Sequence, residues 1–375
     1  MKFSEIIGQD RVKKHLIRTV KGSRVSHAQL FLGPEGVGSL ALAIAYAQYI
    51  NCRNRTEADS CGICPSCIKY NKLIHPDLHF IYPTASKDNI SKPGSKDFIE
   101  SWRALVLEHR GYFRFPDWTE KIGIERKQAI INVNDCNDLL QQLSYKSYEA
   151  EYKVMIIWMV EKIFHAAAPR ILKILEEPPD KTLFLLVSQS HEKIISTILS
   201  RTQLVKIPPV DENDLIDALD KEGIDIKTVR DAVRVASGNY IEAKRLATQT
   251  ETDEDHLNRF IQWMRLCYRI PFKEINAFAS EMAKLNRDAQ KNFLLYSLRI
   301  IREAFLMGLP LHQLLRIKKS EEDFLMKFHP FVHQNNIDLL TDELNKSVAH
   351  IERNVNSNIL FFDATVRLSQ LLKMR

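Results

Sequence analysis

The chain has 375 residues, 45% of them hydrophobic and 27% charged, with 12 Gly and 14 Pro. That composition excludes collagen-like, mucin-like and largely disordered classes, and the length predicts two or three domains, each able to bury a core. Fifty-three Lys and Arg against 47 Asp and Glu leave a charge of +6, which tolerates contact with nucleic acid but is too small to argue for it.

The opening Met1-Lys2-Phe3-Ser4-Glu5 has no basic segment leading into an apolar stretch, so no signal peptide is expected. The longest apolar runs, 40–47 and 154–160, fall far short of the ~20 residues that span a bilayer. A soluble, cytoplasmic protein without membrane contact is expected.

Residues 27–32 read as a buried strand ending at Gly33-Pro34, and 39–50 as the helix behind it. Between them, Gly33-Pro34-Glu35-Gly36-Val37-Gly38-Ser39-Leu40 has the strand, glycine-rich turn and helix layout of a phosphate-binding P-loop. In a working loop, backbone N–H groups wrap the phosphates, a lysine after the last glycine reaches the β/γ oxygens, and a Ser or Thr holds Mg²⁺. Here Gly33, Gly36 and Gly38 keep the frame, but Ser39 stands at the lysine position and Leu40 at the magnesium position. A serine brings no positive charge, and a leucine cannot ligate a hard cation. The backbone amides survive, which leaves residual nucleotide binding open.

Cys52, Cys61, Cys64 and Cys67 fall within sixteen positions, while Cys136 and Cys267 stand alone. In a reducing compartment such clustering favours a metal over disulfides. Gly62 and Pro65-Ser66 supply the turns that two-residue spacings need, and four thiolates without a carboxylate predict a closed, structural Zn²⁺ site in a module at 51–72. An Fe–S cluster uses the same ligands, but nothing indicates redox work. His75 is a competing ligand, although His75-Pro76-Asp77 reads as a turn. The ion should hold a hairpin too small for a core of its own. Arg53, Arg55, Lys69 and Lys72 are expected to be a solvated basic rim, with direct DNA contact as the alternative.

Residues 83–123 fit the strand and helix alternation poorly and are expected to be an insertion. Its start is polar, with Pro93-Gly94; 98–109 suits a helix; Tyr112, Phe113, Phe115 and Trp118 then cluster. These aromatics are expected to pack the insertion onto its own domain, a partner or base-stacking surface being the alternative. Residues 153–160, 182–188 and 203–207 read as further strands, so a parallel sheet covered on both faces is predicted. The strand at 153–160 is where an acidic pair belongs, one carboxylate for Mg²⁺ and one to polarise water. Trp158 and Met159 stand there instead. Glu161 would face the same side as Met159 if the strand stayed extended, and a hydrolysing protein would have to work through it and Ser39. Two halves of one apparatus missing together predict a P-loop fold without ATP hydrolysis.

After Pro208-Pro209 the β signal ends. Asp211 caps one helix and Gly238 closes another at 227–236, giving a small helical module at 208–250. Beyond it the period is helical: Leu257, Phe260, Ile261, Met264 and Tyr268 share one stripe, and Ile275, Phe278, Met282 and Leu285 the next.

Several strings stand in order: Ile7-Gly8-Gln9, Ser26-His27-Ala28, the altered glycine loop, the four cysteines and His75-Pro76-Asp77. Ala166-Ala167-Ala168 then runs into Leu172-Lys173-Ile174-Leu175-Glu176-Glu177-Pro178-Pro179, and Leu199-Ser200-Arg201-Thr202 closes the series. Over residues 3–245 this resembles the bacterial DNA polymerase III clamp-loader family of AAA+ proteins, in its delta-prime type; thereafter only the helical character matches. The resemblance implies an AAA+/RecA-like α/β P-loop domain at 1–207, carrying the zinc module and the insertion. A helical lid at 208–250 and an all-α collar for oligomerisation at 251–375 would follow. It implies a hetero-oligomeric ring with gamma/tau and delta subunits that loads a sliding clamp on primed DNA in replication. Arg201 matches the arginine that one subunit supplies in trans to its neighbour's ATP, a surface arginine at a strand entry being the plainer alternative. The family's Ser-Arg-Cys reads Ser200-Arg201-Thr202 here, a small change because the guanidinium does the electrostatic work. After Gly238-Asn239-Tyr240, Ile241 stands where active relatives carry a γ-phosphate-sensing arginine. Glu176-Glu177-Pro178-Pro179 is adequately explained as a helix end stopped by prolines. The expected function is a non-hydrolysing scaffold, not an enzyme by itself, within a DNA polymerase holoenzyme. The alternatives are an ATP-hydrolysing gamma/tau-like subunit and a zinc-containing single-stranded DNA-binding protein.

Overall fold

Five strands build one sheet among the described residues: β1 (Ala28–Leu32), β2 (Leu78–Ile81), β3 (Lys153–Trp158), β4 (Thr182–Ser188) and β5 (Gln203–Lys206). They lie in the order β2-β3-β4-β1-β5 and every pairing is parallel. The computed structural model describes residues 1–87, 90, 93–125, 127–248, 250–269, 271–310, 314–353 and 355–374. Parts of the expected insertion (88, 89, 91, 92), lid range (249) and collar range (270, 311–313, 354, 375) lie outside the described residues.

Two strand expectations change. β2 is too short, and interrupted by His79, to stand out as an apolar run. The run at 153–160 stops being a strand at Trp158, because Met159 turns into the left-handed region (φ +59) and a 3₁₀ turn follows at Val160–Lys162. Glu161 therefore does not project from an extended strand beside Met159.

Helices α1 (Asp10–Lys21), α2 (Ser39–Ile50), α3 (Pro65–Asn71), α4 (Ile99–Glu108), α5 (Phe115–Lys121), α6 (Val133–Ser144), α7 (Ala168–Glu176), α8 (Ser196–Leu199) and α9 (Glu212–Asp220) accompany the sheet. α2 is apolar nearly all round and every one of its residues is buried, as befits a helix laid across the middle of a sheet. It packs on β1, β3 and β4. Leu30, Met155, Ile157 and Leu186 join α6 and α7 in a separate core.

The chain divides into two compact units, Met1–Glu222 with Ser237–Ala243, and Gly223–Ala236 with Lys244–Arg375. α10 (Ile226–Ala236) belongs to the second, and α11 (Tyr240–Thr248) runs from one set of residues into the other. The rest of the second unit is helical: α12 (Thr250–Arg269), α13 (Phe272–Lys284), α14 (Arg287–Met307), α15 (Lys319–Phe328), α16 (Ile337–Glu352) and α17 (Ser357–Leu372). Phe260, Trp263, Phe278, Phe293 and Phe361 form the heart of its core, where the Trp263 indole N–H donates to Thr365 Oγ1 at 2.8 Å. Tyr268, expected at the end of that stripe, is 58% exposed. No helix among the described residues is long and apolar enough to cross a membrane.

Candidate functional site

β1 delivers the chain into the glycine turn, and α2 begins at Ser39 with Gly38 as its N-cap in the left-handed region (φ +89). A Cβ at Gly33 would lie 2.7 Å from the Ile207 carbonyl oxygen, and one at Gly38 would lie 2.6 Å from the Tyr112 hydroxyl. One at Gly36 would overlap Asn239 Oδ1. The three glycines are thus demanded by close approach of the protein's own chain. Ser39 Oγ is buried with no hydrogen-bond partner among the described residues, and Leu40 is buried.

The segments around the turn are tied to it. Gln9 Nε2 donates to the Val37 and Pro208 carbonyls at 3.3 and 2.7 Å. The Ile7 N–H donates to the Tyr112 hydroxyl at 3.1 Å, and the Tyr240 N–H to the Gly36 carbonyl at 3.1 Å. The rings of Tyr112 and Tyr240 meet edge-on, 5.0 Å apart. Ile241, the next residue, is half-buried.

At the expected acidic position the Trp158 indole is buried against Trp102 and Phe113, both 5.2 Å away, and Phe115, 6.1 Å away. Met159 is buried in its turn, and Glu161 Oε1 accepts from the Gln189 N–H at 3.2 Å. Of the aromatics expected in the 83–123 insertion, Tyr112, Phe113 and Trp118 are buried and Phe115 is half-buried, so they pack on their own unit. Sequence reasoning singled out this cluster without connecting it to the glycine loop. It missed Asn239 and Tyr240 as cover for the loop, because only the fold brings positions so far apart together.

The four thiol sulfurs of Cys52, Cys61, Cys64 and Cys67 all lie within 4.8 Å of one another. Cys52 and Cys61 are 3.5 Å apart, and Cys61 and Cys67 3.9 Å. Metal–sulfur bonds of ~2.3 Å in a tetrahedron put sulfurs ~3.8 Å apart, so the set fits one ion. Backbone N–H groups of Cys61, Cys64 and Cys67 donate to the sulfurs of Cys52, Cys61 and Cys64 at 3.3, 3.3 and 3.5 Å. Burial pushes the Cys61 thiol up, but the N–H groups of Ile63 and Cys64, together with the neighbouring Cys52 and Cys64 thiols, bring it down to about 6. Burial drives Cys67 well above the ordinary thiol range. Gly62 takes a positive φ (+76) between the first two knuckle cysteines, and Pro65 opens α3 just after Cys64 caps it.

His75 is not part of this set. Its Nδ1 accepts from the Asp77 N–H at 3.1 Å, and its ring packs on Tyr70 at 4.7 Å. Two members of the basic rim have partners: Lys69 pairs with Glu149 at 2.6 Å and Arg55 donates to the Ile50 carbonyl at 2.9 Å.

Arg201 follows α8 and enters β5, with its side chain one-third exposed (33%). Its Nε donates to Glu176 Oε1 at 2.6 Å, and its Nη1 to the Thr197 carbonyl at 3.0 Å. The Thr202 hydroxyl donates to the Ile198 carbonyl at 3.0 Å, so the residue in the cysteine's place stays inside its own turn. Glu176, read from sequence only as a helix end, is the carboxylate that holds Arg201.

The family profile described as "DNA polymerase III, delta subunit" matches residues 8–211. The chain belongs to that family. The clamp-loader AAA+ resemblance carried by the motif string is thereby borne out. The DNA polymerase III subunit gamma/tau of Mycobacterium bovis is 29% identical over 200 residues, 53% of this chain and 27% of that protein. The DNA polymerase III subunit delta' of Bacillus subtilis is 26% identical over 246 residues, 66% of this chain and 61% of that protein. The chain thus spans only about a quarter of the gamma/tau relative's length. A gamma subunit-related protein from Thermotoga maritima aligns structurally over 96% of this chain and 99% of its own, with TM-score 0.40 and 13% identity.

Proposed function

We propose that this chain is a non-hydrolysing, delta-prime-type subunit of a DNA polymerase III clamp loader, one that scaffolds the ring and lends Arg201 to a neighbouring ATPase. The observation that carries this reading is the joint replacement of the loop cation, the magnesium ligand and the acidic pair by Ser39, Leu40 and Trp158-Met159 on an intact glycine frame. Without a cation at the phosphates and a carboxylate for Mg²⁺, the charge that develops in phosphoryl transfer loses its two strongest stabilisers. The family match and the delta' relative support the assignment.

In this reading residues 208–250 act as a lid and 251–375 as the collar that joins gamma/tau and delta subunits in a cytoplasmic hetero-oligomer, which places a sliding clamp on primed DNA. Cys52, Cys61, Cys64 and Cys67 hold Zn²⁺, which supplies four bonds that fix the short module and performs no chemistry. Glu176, with the Thr197 carbonyl and the Ser200 hydroxyl, holds the Arg201 guanidinium on its own turn until a neighbour's γ-phosphate competes for it.

The gamma/tau relatives favour a second reading, an ATP-hydrolysing subunit. It would need a carboxylate where Trp158 stands; Glu161 follows in the turn after β3, where its Oε1 accepts from the Gln189 N–H and its Oε2 is buried without a hydrogen-bond partner among the described residues. The deciding experiment has two arms. Mg-ATP hydrolysis by the isolated chain is expected to be absent; turnover that Ser39→Ala abolishes would favour the gamma/tau reading. In the assembled loader, Arg201→Ala should leave the chain folded and slow turnover at the one site it serves by about 10³-fold or more. Unchanged turnover would remove the trans role.

A further inference from the structure

We propose that residues 111–115, within the expected 83–123 insertion, are a built-in occupant of the nucleotide cradle, with Tyr112 standing in for the bound nucleotide. The proposal rests on the reading of residues 33–40 as a nucleotide loop that has lost its chemistry, and it assigns the insertion a task.

Contacts of three consecutive residues, Gly111, Tyr112 and Phe113, lead to it. Gly111 has a positive φ (+77), and a Cβ there would come within 3.1 Å of Ala41 Cα. The backbone at Gly111 therefore lies directly on the first turn of α2, in a left-handed conformation and with little room for a Cβ. The next residue, Tyr112, brings its hydroxyl against Gly38 at the α2 N-cap, the end of the helix that would otherwise attract an anion. That same hydroxyl accepts the Ile7 N–H, and the ring meets Tyr240, whose own N–H is spent on the Gly36 carbonyl. Phe113 then covers Trp158, joined there by Trp102 and Phe115. One segment of the insertion thus closes both halves of the old site, the glycine turn and the acidic strand end.

The segment before α1 and the turn after Gly238 both bond the glycine turn, through Gln9 to the Val37 carbonyl and the Tyr240 N–H to the Gly36 carbonyl. Tyr112 touches the same three. It is covalently part of the chain, 6% exposed, and cannot be exchanged. The unit is then held in one arrangement whatever the nucleotide concentration, as suits a subunit that must stay fixed while its neighbours turn over.

The test uses the full chain, ADP and Mg-ATP. Wild type is expected to show no change in melting temperature with either at millimolar concentration. Tyr112→Phe keeps the ring but removes the acceptor, so hydrogen exchange at the Ile7 amide should rise about tenfold while ADP still has no effect. Tyr112→Ala should melt lower and regain several degrees with ADP, because a ligand that binds only the folded state stabilises it. The proposal is overturned if wild type is stabilised by ADP, if the Ile7 amide is indifferent to Tyr112→Phe, or if a folded Tyr112→Ala ignores ADP. Should Tyr112→Ala not fold, the other two measurements decide. ADP binding to wild type without turnover would defeat this proposal alone, whereas Mg-ATP hydrolysis by wild type would defeat the underlying reading as well.

Discussion

Asp77 shows how a single side chain can organise the approach to the sheet. It is buried one residue before β2, and its carboxylate accepts the backbone N–H groups of Tyr148, Glu149 and Ala150 at 2.6, 2.9 and 2.9 Å. It thereby fixes the loop that enters β3. Burial alone would raise its pKa, but the three N–H donors prevail and hold it below the ordinary value of 3.8. A folded pKa depressed in this way means stability that is full above the unfolded value and is lost as pH falls through the folded one. Asp77→Asn should therefore cost about 1–3 kcal/mol near neutral pH, with the difference from wild type narrowing below pH ~4. Urea midpoints for both proteins at pH 7 and pH 3 check this; a gap of equal size at the two would rule out the charge as its source. From sequence, His75-Pro76-Asp77 read only as a turn, because the partners lie some seventy residues away.

At the scale of elements, α2 was legible to the residue: Gly38 marks its start, and an unbroken apolar helix pattern carries it to Ile50. β4 was equally plain. β3 overshot because an apolar run reports burial rather than backbone conformation, and Met159 and Val160 are buried in a turn. The cradle's altered residues were visible one by one, yet what covers them was not, since Tyr112, Asn239 and Tyr240 reach the loop only through the fold. The cysteine module was legible because all its chemistry is local. Its anchors were not: Asp59 accepts the Phe3 and Ser4 N–H groups at 2.9 Å each, and Asn51 Nδ2 donates to Tyr70 and to the Tyr152 carbonyl at 2.8 Å each. With four sulfurs as its centre, the module is expected to depend on an ion for its fold. Cys64→Ser should abolish stoichiometric zinc, measured by elemental mass spectrometry, and raise hydrogen exchange through α3. The amides of β1, β3 and β4 should keep their protection. Full zinc occupancy in that variant would exclude the four-thiolate site.

For the whole molecule, each compact unit has a core of its own, so a lesion can be placed in one and read in the other. The family match ends at residue 211, and the proposed ring contacts of the helical unit are open to test. Within it Glu321 is buried, accepting from Arg299 Nη1, Tyr296 and the Lys318 N–H at 3.0 Å each. Burial would raise its pKa, but Arg299 holds it below the usual carboxylate value. Removing one partner of such a buried pair typically costs about 3–5 kcal/mol, because the remaining charge is left uncompensated. Glu321→Ala should accordingly add a lower-melting transition in calorimetry, while zinc content and Ile7 amide protection stay at wild-type levels. If the helical unit is the collar, the same variant should fail to co-purify with gamma/tau and delta partners, although Arg201 and its surroundings are untouched. Assembly at wild-type yield from a chain whose helical unit has melted would move the ring contacts to the sheet-bearing unit and leave the collar assignment without support.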